Sequence, residues 1–73
     1  MKPVARLVFR EQGQTSVHIK TYTDVALLKI DLEDIYNGTG WIQLRGGEED
    51  PYSYEEFIRA SSIVFYRSEV FNV

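Results

Sequence analysis

Apolar and polar positions in this chain fall into short blocks separated by glycines and polar runs, and each block predicts one element. Residues 4–9 read Val-Ala-Arg-Leu-Val-Phe, rich in strand formers and preceded by Pro3, which predicts a strand. Glu11-Gln12-Gly13-Gln14 then breaks the pattern with a glycine free to adopt positive φ. In residues 15–22, Val17 and Ile19 alternate with His18 and Lys20. The two strands form a β-hairpin with its turn near Gly13.

Residues 24–36 carry two competing patterns. Leu28, Ile30 and Leu32 alternate with Lys29, Asp31 and Glu33, as in a strand. Val25, Leu28, Leu32, Ile35 and Tyr36 also recur with a helical period, while Leu27 and Ile30 fall off that face. Thr23 suits an N-cap, Asp24 suits the positive end of the helix dipole, and Asn37-Gly38 suits a left-handed C-cap. Length favours a helix, because strands usually have about 5–6 residues.

Residues 40–45 place Trp-Ile-Gln-Leu in a short strand ended by Gly46-Gly47. Residues 48–54 read as an acidic loop around Pro51, and residues 54–59 as a strand carrying Phe57 and Ile58. Ala60-Ser61-Ser62 reads as a turn, Ile63-Val64-Phe65-Tyr66-Arg67 as the clearest strand, and residues 68–73 as a tail. This order predicts an α+β fold in one domain, residues 1–73. A β-hairpin, one helix over residues 24–36 and two or three further strands would make a small antiparallel sheet of four to five strands with the helix on one face.

Gly40-Trp41-Ile42-Gln43-Leu44, followed by Ile58-Arg59-Ala60-Ser61-Ser62-Ile63-Val64-Phe65, resembles the second half of many small phage and Gram-positive prophage proteins. There, a glycine-tryptophan strand leads to a short strand and then to a last strand entered through small polar residues. The resemblance implies a hairpin-helix-sheet layout and a mobile-element setting. It implies no catalytic residue.

Composition narrows the function. The 73 residues contain no cysteine, which excludes disulfide frameworks, thiol chemistry and cysteine metal sites. A net charge of −3 argues against a nucleic-acid coat. No apolar run approaches the ~18 residues of a membrane span, and Met1-Lys2-Pro3 does not open a signal peptide. The expected setting is cytoplasmic, away from membranes. A core this small rarely supplies more than ~3–5 kcal/mol unaided, so the expected assembly is a homo-oligomer.

Catalytic constellations are missing from the pattern. His18 has no nucleophile in a Gly-x-Ser-x-Gly context and reads as a surface or interface residue. Glu48, Glu49, Asp50, Glu55 and Glu56 lack EF-hand spacing; they suit a solvated loop or a contact with a basic partner. Gly38, Gly40, Gly46 and Gly47 lack the Gly-Lys-Ser/Thr of a P-loop. The chain reads as non-enzymatic, with no cofactor and no metal.

Aromatics carry the strongest signal: ten of 73 residues are Phe, Tyr or Trp, side chains that enrich binding surfaces. Glu48, Glu49, Asp50, Tyr52, Tyr54 and Phe57 form the expected partner-binding segment. Phe9, Trp41 and Phe65 read as core fillers. In the last strand, Ile63 and Phe65 point to one face and Val64 and Tyr66 to the other. A run apolar on both sides calls for cover on both. A second copy over Val64, Tyr66 and Phe71 is the expected cover; the alternative is a tail that folds back through Val70 and Phe71. The leading expectation is a small interaction protein that binds and occludes a partner protein, as a phage or mobile-element regulator or inhibitor would. Two alternatives remain: an oligomer sequestering a small nucleotide-like ligand at subunit interfaces with Trp41, Arg45, Arg59 and Arg67, or a nucleic-acid-binding module.

Overall fold

The computed structural model describes residues 2–45 and 55–71. The elements run β1 (Ala5–Glu11), β2 (His18–Tyr22), α1 (Val25–Asn37), β3 (Trp41–Arg45), β4 (Glu56–Arg59), a 3-10 turn (Ala60–Ser62) and β5 (Ile63–Val70). The fold is α+β, as the sequence pattern predicts. The strands divide into an antiparallel three-stranded sheet in the order β2-β1-β5 and an antiparallel β3-β4 pair.

The first hairpin turns at Gly13, whose φ of 81° lies in the left-handed region. Gln14 N–H donates to Glu11 O across the turn. β1 is central, and its alternate residues Ala5, Leu7 and Phe9 are fully buried. Opposed residues in an antiparallel pair share a face. The face of Ala5, Leu7 and Phe9 therefore also carries Tyr22, Lys20 and His18 of β2, and Val70, Ser68 and Tyr66 of β5.

Helix α1 crosses the β1-β2 part of that face. Its N-cap is Asp24, one residue later than the expected Thr23: the extended Asp24 backbone lets its carboxylate accept from Ala26 N–H at 2.9 Å. Leu28 and Ile35 enter the core beside Ile42 and Ala60, with Leu32, Leu44, Ile58 and Ile63 packed around them. Asp31 is buried between them. Tyr36, expected on the buried face, is 83% exposed, and Leu28, Asp31 and Ile35 define the inward stripe instead.

Gly38 ends α1 with φ 66°, donating its N–H to Asp34 O and Ile35 O. Gly40, at φ 77°, lies so close to Asp34 that an added Cβ would sit 3.2 Å from Oδ2. This approach brings the chain into β3, and Ala60 N–H closes the junction on Gly40 O.

Two further expectations are corrected. Residues 68–70 are no tail: β5 continues to Val70, and Phe71 N–H donates to Val4 O, extending the ladder rather than folding back. Trp41 and Phe65, expected as core fillers, are exposed, while Phe9 is fully buried. Trp41 faces outward because Ile42 and Leu44 occupy the inward positions of β3. The apolar Val17 and Ile19 of the second strand are also exposed, because pairing with Leu7 and Phe9 turns Lys20 and His18 toward the helix side.

Candidate interaction surface

Large apolar side chains reach solvent on α1 (Leu27, Ile30 and Tyr36), at Val17 and Ile19, and on two further strand surfaces. The first is the outer face of the β3-β4 hairpin. Trp41 opposes Arg59 and Gln43 opposes Phe57, so these four side chains share one face. The other face carries Ile42 and Ile58 into the core. Strand alternation thus forces an aromatic residue from each strand outward. Trp41 remains 55% exposed and Phe57 46%. The Arg59 guanidinium lies 5.4 Å from the Trp41 ring centroid, a cation–π contact worth about 0.5–1 kcal/mol at an exposed site. It sets a positive charge over the indole ring. Such a strip offers apolar area, a ring face and a fixed cation side by side.

The second surface is β5. Val64 and Tyr66 are each about half exposed, at 53% and 45%. The β1-β5 register shifts between Arg10 and Glu11, which face Phe65 and Ile63. Val64 is the extra residue of this bulge. Beyond it, Tyr66 takes the core-side face opposite Phe9 and Phe65 the outer face opposite Arg10. Helix α1 does not bury this end of the sheet. Phe71 lies beneath Arg6, 5.8 Å from guanidinium to ring centroid.

The arginines expected at an inter-subunit ligand site lie on different parts of the single chain. Trp41 and Arg59 meet, as described. Arg45 stands at the other end of the hairpin opposite Glu56 and lines a surface groove with Val17 and with His18 and Ile19 of β2. Arg67 is on β5, bonding Glu69 Oε1 at 3.1 Å. Glu69 also receives Arg6 at 2.8 Å, and the Arg6 hydrogen bonds, with Arg67 adding to them, hold its carboxyl below the usual range. Glu48, Glu49, Asp50, Tyr52 and Tyr54 lie outside the described residues. Phe57 is the described member of that segment.

Local sequence reasoning misses one polar cluster. Tyr22 Oη donates to Asp31 Oδ2 at 2.6 Å, and Lys20 Nζ donates to the same oxygen at 2.9 Å. Burial, reinforced by the adjacent carboxylate, pushes the Tyr22 phenol far above its ordinary value. The cluster joins β2 to α1 and consumes the acceptor it buries, so it reads as a structural clamp. His18 Nε2 pairs with Glu11 Oε1 at 2.9 Å, with its ring 5.2 Å from Phe9. Among the described residues, no group of His, Cys, Asp and Glu could hold a metal ion, and no helix is long and apolar enough to cross a membrane. Comparison with protein-family models, curated proteins and solved structures finds no match.

Proposed function

We propose that this chain is a small non-enzymatic interaction protein, working as a homo-oligomer, that binds and occludes a partner protein. A regulator or inhibitor of a host function, of the kind a phage or mobile element encodes, is one form this role would take. The observation that carries the reading is the outward strip of Trp41, Phe57 and Arg59. Solvent-exposed aromatics flanking an arginine are the side chains that dominate protein interfaces, because they offer large area at low entropic cost and a polar handle. The strip is joined through β4 to the acidic, tyrosine-rich segment of Glu48, Glu49, Asp50, Tyr52 and Tyr54. The strip would supply the apolar centre that such interfaces have, and the acidic segment would supply charge for a basic partner.

The test is quantitative affinity capture with tagged wild-type chain and a Trp41→Ala/Phe57→Ala variant. Both side chains face solvent, so the variant keeps its fold by circular dichroism. The expected result is one partner enriched by wild type and lost at least tenfold by the variant. Equal recovery would refute the reading.

A second reading rests on the Trp41–Arg59 pair alone. A ring with an adjacent guanidinium can stack a planar group and neutralise a phosphate. Protein purified gently from its own cells would then release ultraviolet-absorbing small molecules on heating, and Trp41→Ala would release none.

A further inference from the structure

We infer that two copies of this chain pair edge to edge through β5, antiparallel about a two-fold axis at Ser68, to form a continuous six-stranded sheet. The inference rests on the proposal that the chain self-associates, and it specifies the strand and register.

Three observations carry it. First, β5 is eight residues long, and its outer edge has no partner strand among the described residues. β5 contains neither proline nor lysine and its bulge is confined to Val64 at one end, so its central edge is blunted only by Arg67 and Glu69, opposite charges that a second copy can match.

Second, the backbone is in phase. Phe71 N–H donates to Val4 O. In an antiparallel ladder, alternate residues turn their N–H and C=O to opposite sides. Phe65, Arg67 and Glu69 thus turn theirs to β1, and Tyr66, Ser68 and Val70 turn theirs to the free edge. An axis at Ser68 opposes Ser68 to itself and Tyr66 to Val70 of the second copy. All of these residues present backbone groups toward the new partner.

Third, charge selects this register. An axis at Arg67 or Glu69 sets like charges against each other at the centre. An axis at Tyr66 opposes Arg67 to Phe65, and one at Val70 opposes Glu69 to Phe71. An axis at Ser68 opposes Arg67 to Glu69 of the second copy, twice by symmetry. It also opposes Tyr66 to Val70 and Phe65 to Phe71, pairs of the aromatic–β-branched and aromatic–aromatic kinds that stabilise sheets. Tyr66, Val70 and Phe65, about half exposed in the single chain, then gain cross-strand neighbours. A symmetric contact of this kind closes after two copies.

The test is native mass spectrometry and sedimentation of the full chain at tens of micromolar, with three variants. Wild type is expected at twice the 8.5 kDa chain mass. Arg67→Glu and Glu69→Lys each place like charges across the axis twice, and each is expected as a monomer with a wild-type circular dichroism spectrum. Mixed, they restore both opposite-charge pairs and form a heterodimer. Ser68→Cys needs no charge change. The chain has no other cysteine, and opposed residues of a hydrogen-bonded pair have Cα atoms about 5.5 Å apart, within disulfide reach. Oxidation is expected to link it into dimers. A monomeric wild type would overturn both self-association and this interface. A dimer that survives both charge variants, or a Ser68→Cys chain that does not cross-link, would overturn the β5 register alone.

Discussion

Replacing Tyr22 with phenylalanine removes one oxygen and leaves the ring's shape unchanged. That oxygen donates at 2.6 Å to Asp31 Oδ2 inside the core, with Tyr22 itself 3% exposed. A hydrogen bond to a charged group contributes about 1.5–3 kcal/mol. Lys20 still serves the carboxylate at 2.9 Å, so the middle of that range, about 2 kcal/mol, is the expected loss. In a domain this small, it corresponds to a fall in Tm of about 8–16 °C. The assay is urea unfolding followed by far-ultraviolet circular dichroism at one fixed protomer concentration, because association would otherwise shift the midpoint. Tyr36→Phe, at a phenol in solvent, is the control and should not move.

The pH dependence supplies a second signature. The folded-state pKa of Tyr22 is raised by burial and by Asp31, so the folded chain keeps a proton that the unfolded chain releases near pH 10. The stability this contributes is complete below about pH 10 and is lost as pH rises above it. Tyr22→Phe lacks that loss, so the gap between the two proteins narrows in alkali. A destabilisation under about 0.5 kcal/mol, the scale of an ordinary surface change, would refute the clamp.

The remaining predictions concern the ends of α1 and the charge cluster on β5. Gly38→Ala meets only backbone strain, since nothing lies within 4 Å of the added Cβ, and should cost about 1–2 kcal/mol. Gly40→Ala adds the Asp34 contact to the same strain and should cost more; equal losses would contradict the close approach. Asp24→Ala should cost about 1 kcal/mol in thermal unfolding by removing the N-cap, whereas Thr23→Ala should cost less. Glu69, with its pKa depressed first by the Arg6 hydrogen bonds, contributes stability that is present above the unfolded carboxylate pKa and lost as pH falls through its own. Arg6→Gln should raise the Glu69 pKa in an NMR titration and flatten the acid limb of stability.

The elements were legible where local chemistry decides them. The turn at Gly13, the helix ending at Gly38 and the strands either side of Ala60-Ser61-Ser62 follow from glycine placement and periodicity. The helix won over the alternating pattern of residues 28–33 because Asp31 could be paired inside, which an isolated pattern cannot reveal. The pairing joins Asp31 to Lys20 and Tyr22, which the β1-β2 register turns toward the helix while leaving Ile19 outside. Its two sides are nine and eleven residues apart, and their contact is created by the fold. β5 ran past Arg67 because β1 supplied backbone partners as far as Val4, and polarity alone does not end a strand that has a ladder to join. Trp41 was misplaced despite a usable signal: Ile42 and Leu44 already claimed the inward positions of a five-residue strand. Of the candidate residues, Trp41, Arg59 and Phe57 converge on one face because β3 and β4 pair in that register, while Arg45 and Arg67 belong to other parts of the molecule.

Partner capture tests the functional account most directly. Wild type and Trp41→Ala/Phe57→Ala, matched in fold, should differ at least tenfold in recovery of one specific protein from a lysate of the chain's own cells. Equal recovery by the two would contradict the account and detach function from the hairpin face.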